Sequence, residues 1–96
     1  MVRGGGTSET GGQLEPGTPE SEAAHQRQAT EQLLNSTDAS LKRISQRKLT
    51  PDQQDMVRQI TFYMEQSRSA DKEGDLGRAR NLAIKAHMLC DALTRQ

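Results

Sequence analysis

The sequence predicts an all-α fold: an antiparallel helical hairpin, or a three-helix up-down-up arrangement, behind a disordered N-terminal tail. Three observations predict it. From Ser21 onward the chain is built of Gln, Glu, Arg, Lys, Ala and Leu, which are good helix formers. Thr30, Leu34, Thr37, Leu41 and Ile44 step alternately by four and three, the spacing of one helix face. Two punctuation signals, Leu49-Thr50-Pro51-Asp52-Gln53 and Gly74-Asp75, divide the remainder into helices of ordinary length.

The segment before the first helix has a different composition. Six of the eight glycines and two of the three prolines fall within residues 1–20. Val2 and Leu14 are nearly its only large apolar side chains. Such a segment buries too little surface to offset the entropy of ordering it, so residues 1–20 read as a tail or linker. Residues 21–96 form the helical domain, with helices expected at about 21–47, 51–73 and 76–94.

The first helix owes its definition to the 30-34-37-41-44 stripe, with Leu33 beside it. The part before Thr30 has only alanines to bury and is expected to fray. The second helix has the stronger start. Thr50 is a capping hydroxyl, Pro51 occupies the first helical position, and Asp52 suits the positive helix end. Gln53, three residues after the threonine, completes a capping box. Met56, Val57, Ile60, Tyr63, Met64, Ser67 and Ala70 share its inner face. Gly74 ends it where a left-handed residue is often required, and Asp75 caps the third helix. That helix presents Leu76, Ala79, Leu82, Ala83, Ala86, Leu89, Cys90 and Leu93 on one stripe. Arg78, Arg80, Asn81, Lys85, His87 and Asp91 are expected to be solvated. The link at Gly74-Asp75 is so short that helices two and three must run antiparallel.

Composition narrows the function. Lysine plus arginine and aspartate plus glutamate balance at thirteen each, whereas dedicated nucleic-acid binders carry a basic excess. No apolar run is long enough to span a bilayer. The single cysteine rules out an internal disulfide. No secretory signal or lipidation pattern opens the chain as written. The location expected is therefore cytoplasmic, or the bacterial cell envelope if a signal precedes Met1.

Each chemical motif has a plainer reading beside it. His87, Cys90 and Asp91 stand at spacings of three and four, but a closed zinc site needs four ligands, and the other histidine is His25. Cys90 with a base at His87 would make a cysteine-dependent enzyme; on the core stripe, Cys90 is a small hydrophobe instead. Asp71, Glu73 and Asp75 suggest calcium, but the glycine and the final glutamate of an EF-hand loop are out of place. Lys42, Arg43, Arg47 and Lys48 form a basic cluster, better explained as cations at a helix C-terminus. Asn35-Ser36-Thr37 matches a glycosylation acceptor but lies within a helix. No catalytic, metal or cofactor residue is assigned.

Residues 63–91 resemble a tetratricopeptide repeat, a helix–turn–helix unit. Tyr63 takes the place of its large aromatic. Ser67, Ala79 and Ala86 take small positions, and Gly74-Asp75-Leu76 the turn. Gln66, Ala70, Ala83 and Asp91 depart from the pattern, and no second copy lies 34 residues back. The resemblance implies a helical hairpin that meets other proteins. The chain is also similar to short helical C-terminal segments of uncharacterised bacterial proteins, some of them envelope lipoproteins, which implies an envelope location.

The function expected is a small non-enzymatic helical module that binds a protein partner or itself through apolar residues. The candidates are Leu33, Leu34, Leu41, Ile44, Met56, Ile60, Tyr63 and Met64. No small-molecule substrate and no cofactor are expected. The alternatives are a nucleic-acid or anionic-surface binder through the cluster at 42–48, or a Cys90-dependent enzyme.

Overall fold

The computed structural model describes residues 19–96. The tail expected at 1–20 lies, through residue 18, outside the described residues. The described chain is a three-helix bundle: α1 (Pro19–Ile44), α2 (Pro51–Lys72) and α3 (Leu76–Thr94). It contains no strand among those residues, and no helix there is long and apolar enough to cross a membrane.

Helix α1 starts two residues earlier than expected and stops three earlier. Its first turn carries Glu20 and Glu22, which suit the positive helix end. The segment expected to fray is helical from Pro19, although residues 20–28 are exposed apart from half-buried Ala23. Glu, Ala, Gln and Arg favour the helix there without packing. Arg27 Nε meets Asp71 Oδ1 at 3.3 Å, tying the segment to α2. At the other end the hydrogen bonds tighten. Gln46 N–H donates to Arg43 O at 3.3 Å and Arg47 N–H to Ile44 O at 2.9 Å. These three-residue bonds wind the chain out of the α-helix.

The start of α2 is built as its sequence predicts. Gln53 N–H donates to Thr50 Oγ1 at 3.2 Å, and Thr50 N–H donates to Gln53 Oε1 at 2.9 Å. Its end is a Schellman turn. Asp75 N–H reaches back to Ala70 O at 2.9 Å and Gly74 N–H to Asp71 O at 3.0 Å, with Gly74 at φ 84°. Asp75 also caps α3, its carboxylate accepting from Arg78 N–H at 3.3 Å. One residue thus closes one helix and opens the next.

Helix α3 packs along both α1 and α2, while α1 and α2 meet each other only marginally. The reason lies in the α3 stripe. Ala79, Ala83, Ala86 and Cys90 are all buried and all small, so two helix backbones approach α3 closely from different sides. Leu34, Ile44, Ile60, Met64 and Leu93 fill the remaining space. The 30-34-37-41-44 stripe of α1 faces inward, with Leu41 half-buried and the others buried. Ser67, fully buried, donates its hydroxyl to Ala79 O at 2.6 Å. That bond satisfies the polar atom and pins α2 to α3.

The two described glycines make opposite predictions. A Cβ on either would meet nothing within 4 Å, so only backbone conformation matters. Gly74→Ala forces an L-residue into a left-handed conformation and should cost about 1–2 kcal/mol. Gly77 lies inside α3 with ordinary φ, so Gly77→Ala should stabilise by about 0.5–1 kcal/mol. Thermal unfolding of the two variants should move in opposite directions by several degrees; a shift of the same sign in both would refute the assignment of this turn.

Candidate functional site

α1 and α3 run parallel, joined through the antiparallel α2, and a pair of helices has a groove on each side. On one side α2 approaches. On the other side the groove is open among the described residues. It encloses about 440 Å³ and is lined by Ala29, Gln32, Leu33 and Ser36 of α1 and by Arg80 and His87 of α3. Along α1 those residues step by three, one and three, spanning two turns or about 10.5 Å. On α3, Arg80 and His87 are also two turns apart. Ile84 lies between them in sequence and is half-buried.

His87 was expected to be solvated and is instead half-buried against α1. The link is Thr37. Its hydroxyl donates to Leu33 O at 2.8 Å and also lies 3.4 Å from His87 Nδ1. The hydroxyl's one proton is committed to the carbonyl, so in this contact Nδ1 must carry the hydrogen. Cys90 meets the same residue from the other side, its thiol directed at Thr37 O at 3.9 Å. Cys90 and His87 are therefore bonded to two ends of Thr37, not to each other.

Cys90 is 2% exposed. Burial pushes its thiol above the ordinary value; the Asp91 carboxylate adds to this, and Ser40 and Arg43 oppose it. A nucleophilic cysteine requires the reverse, a lowered value and access to solvent. Asp91 pairs with Arg95 at 3.6 Å, one turn along the helix.

A second cavity, about 180 Å³, lies between α1 and α2 around Thr30 and Leu34. The Arg27–Asp71 pair lies among its walls, and Glu31, Arg68 and Lys72 also line it. Both charge signs therefore face the same small space. Tyr63 occupies the outer α2–α3 edge, with Lys85 Nζ 5.3 Å above its ring and the Phe62 ring edge-on at 5.8 Å.

Of the eight apolar residues proposed for partner contact, Leu34, Ile44, Ile60 and Met64 are buried in the chain's own core. Leu33, Leu41, Met56 and Tyr63 are half-buried. Only Leu33 lines the open groove. In the basic cluster, Lys42, Arg43, Arg47 and Lys48 are all exposed. Lys42 pairs with Asp38 at 3.2 Å, and Arg43 donates to Ser40 Oγ at 3.2 Å. Thr37 of the glycosylation-like triplet is fully buried. The groove residues Ala29, Gln32, Ser36 and Arg80 were not singled out for function in the sequence. A second α1 stripe at 29, 33, 36 and 40 was the available signal, hidden because three of its four members are small. Comparison with protein-family models, with curated proteins and with solved structures finds no match to this chain.

The thiol yields a pH prediction. Its folded-state value is raised, so the unfolded chain loses this proton first. The stability present at neutral pH is therefore lost as pH climbs through the ordinary thiol range, above about pH 8.5. Thermal melts from about pH 7 to pH 10 should fall more steeply for the native chain than for Cys90→Ala. Native Cys90 should also react slowly with iodoacetamide at neutral pH and rapidly in denaturant. Fast native labelling would contradict the burial.

Proposed function

We propose that this protein is a non-enzymatic helical docking module, and that a helix of another protein lies in the open α1–α3 groove. One observation carries the reading. α1 and α3 form a parallel pair with α2 packed on one side only, so a fourth helix in the empty groove would complete a four-helix bundle. The groove is two turns long and has Leu33 and Ala29 along one wall. Its width follows from the small residues Ala29 and Ser36. This is the helix-in-groove mode of recognition, in which apolar anchors on one helix face fill a groove between two others.

The resemblance to a tetratricopeptide hairpin is consistent with this reading. Ser67, Ala79 and Ala86 are all buried, so the small positions lie where α2 and α3 meet. The enzymatic alternative finds less support, because the thiol is buried with its value raised. The basic cluster at 42–48 remains exposed, but half of it is tied to neighbours on its own helix.

A photo-crosslinking side chain placed at Gln32 should capture one protein reproducibly, and the same group at Arg58, on the exposed side of α2, should not. The captured protein and the purified full chain should then associate when mixed, and Gln32→Trp should abolish that association while leaving the circular dichroism melt unchanged. Equal capture from both positions, or association indifferent to Gln32→Trp, would refute the docking reading.

A further inference from the structure

We infer that the cavity between α1 and α2 binds a small zwitterion, a free amino acid of about alanine's size. Its carboxylate lies on the α2 wall and its ammonium on the α1 wall. The cavity shares no lining residue with the open α1–α3 groove, so the two sites are separate.

Thr30 is the first observation. It is 3% exposed and forms part of the cavity wall. Thr37 and Ser67 are the other buried polar residues among those described. Each has a partner: Thr37 donates to Leu33 O at 2.8 Å and Ser67 to Ala79 O at 2.6 Å. The Thr30 hydroxyl has none among the described residues. Even the carbonyl four residues back, a common partner of a helical threonine, does not take its proton. Buried polar groups are normally paired, and the free space that Thr30 meets is this cavity. A ligand oxygen there would supply the missing acceptor.

Charge selects the kind of ligand. Arg27 and Asp71 meet each other across the cavity at 3.3 Å. Glu31 on α1, and Arg68 and Lys72 on α2, also line it, and none of the three has an ion-pair partner among the described residues. Arg68 and Lys72 are one turn apart and so lie on one side of α2. An inorganic anion would suit that wall but would also face the Glu31 carboxylate. A simple amine would suit Glu31 but would face the two cations. A molecule carrying both charges satisfies both walls. Arg68 and Lys72 donate to its carboxylate, the Thr30 hydroxyl adds a further bond, and Glu31 accepts from its ammonium. Leu34 supplies an apolar wall for a short side chain. The volume, about 180 Å³, is that of about six waters, which suits a ligand as small as alanine or serine.

The test is a nuclear magnetic resonance titration of the isotopically labelled full chain with L-alanine. Low ionic strength keeps exposed charges unscreened. Amide shifts along residues 27–35 and 68–72 should saturate with a Kd of about 1 mM. N-acetylalanine lacks the ammonium and alaninamide lacks the carboxylate. Each should bind about fivefold more weakly, the loss of one exposed charge contact. Glu31→Gln should erase the preference over N-acetylalanine, and Arg68→Gln should reduce the preference over alaninamide. Thr30→Val keeps the shape and removes the hydroxyl. It should weaken alanine binding while leaving the melting temperature unchanged or raised, because an unpaired buried polar group is lost.

Inorganic phosphate or N-acetylalanine binding as tightly as alanine would make this an anion site and overturn the zwitterion. No saturable shift with any of the probes would leave the cavity to water and overturn the site. Alanine shifts indifferent to both Glu31→Gln and Arg68→Gln would place the ligand elsewhere, with the same consequence. A lowered melting temperature for Thr30→Val would show the hydroxyl to be paired within the chain and overturn its part in binding.

Discussion

The close approach of two helices to α3 is the constraint on which the rest of the structure depends. Ala79, Ala83, Ala86 and Cys90 are buried and small, so α3 gives up bulk along a whole stripe. The loss is made good from the neighbours, where Leu34, Ile60 and Met64 supply the volume. Small residues facing large ones are how a thin helical layer reaches the density of a protein interior. The arrangement also fixes the polar contacts that pin it. Ser67 reaches the carbonyl of Ala79 at 2.6 Å because the backbones are close there. A larger residue at position 79 or 83 would push α2 away and leave a fully buried hydroxyl without its partner, combining overpacking with an unsatisfied polar group.

The same constraint produces the candidate site. Because α1 and α2 both dock on α3 and scarcely touch each other, the bundle does not wrap α1 symmetrically. Among the described residues, one flank of the α1–α3 pair is left without a helix. Thr37 lies at the centre of that pair, donating to its own helix and receiving His87 and Cys90 through different atoms. It fixes the imidazole at the groove edge and turns the thiol inward. The two side chains that looked reactive in the sequence are thus separated by a structural contact.

Local chemistry explains why some elements were legible and others were not. The capping box at Thr50 and Gln53 and the glycine turn at Gly74 depend on neighbours within five residues, and they stand in the structure as the sequence places them. The inward stripes were equally readable, since helical periodicity is a property of the chain alone. The C-terminus of α1 was not. Ser45, Gln46 and Arg47 carry no strong breaker, and the chain turns out of the helix there to bring Leu49 against the core cluster. The solvated reading of His87 failed for a related reason: its position on the flank of α3 became half-buried only when α1 packed beside it.

The sequence by itself determined the helices, their caps and the residues that point inward, because those follow from propensity, hydrogen-bonding chemistry and a 3.6-residue period. Only the tertiary structure decided which helix lies at the centre and which groove stays open. It also decided which apolar side chains are already buried: Leu34, Ile44, Ile60 and Met64 are enclosed within the bundle, while Leu33 stays at its edge. An apolar residue in a helical stripe announces that it will be covered. Whether its own chain or another covers it depends on distances between helices, and those are set by the side chains of all three helices together.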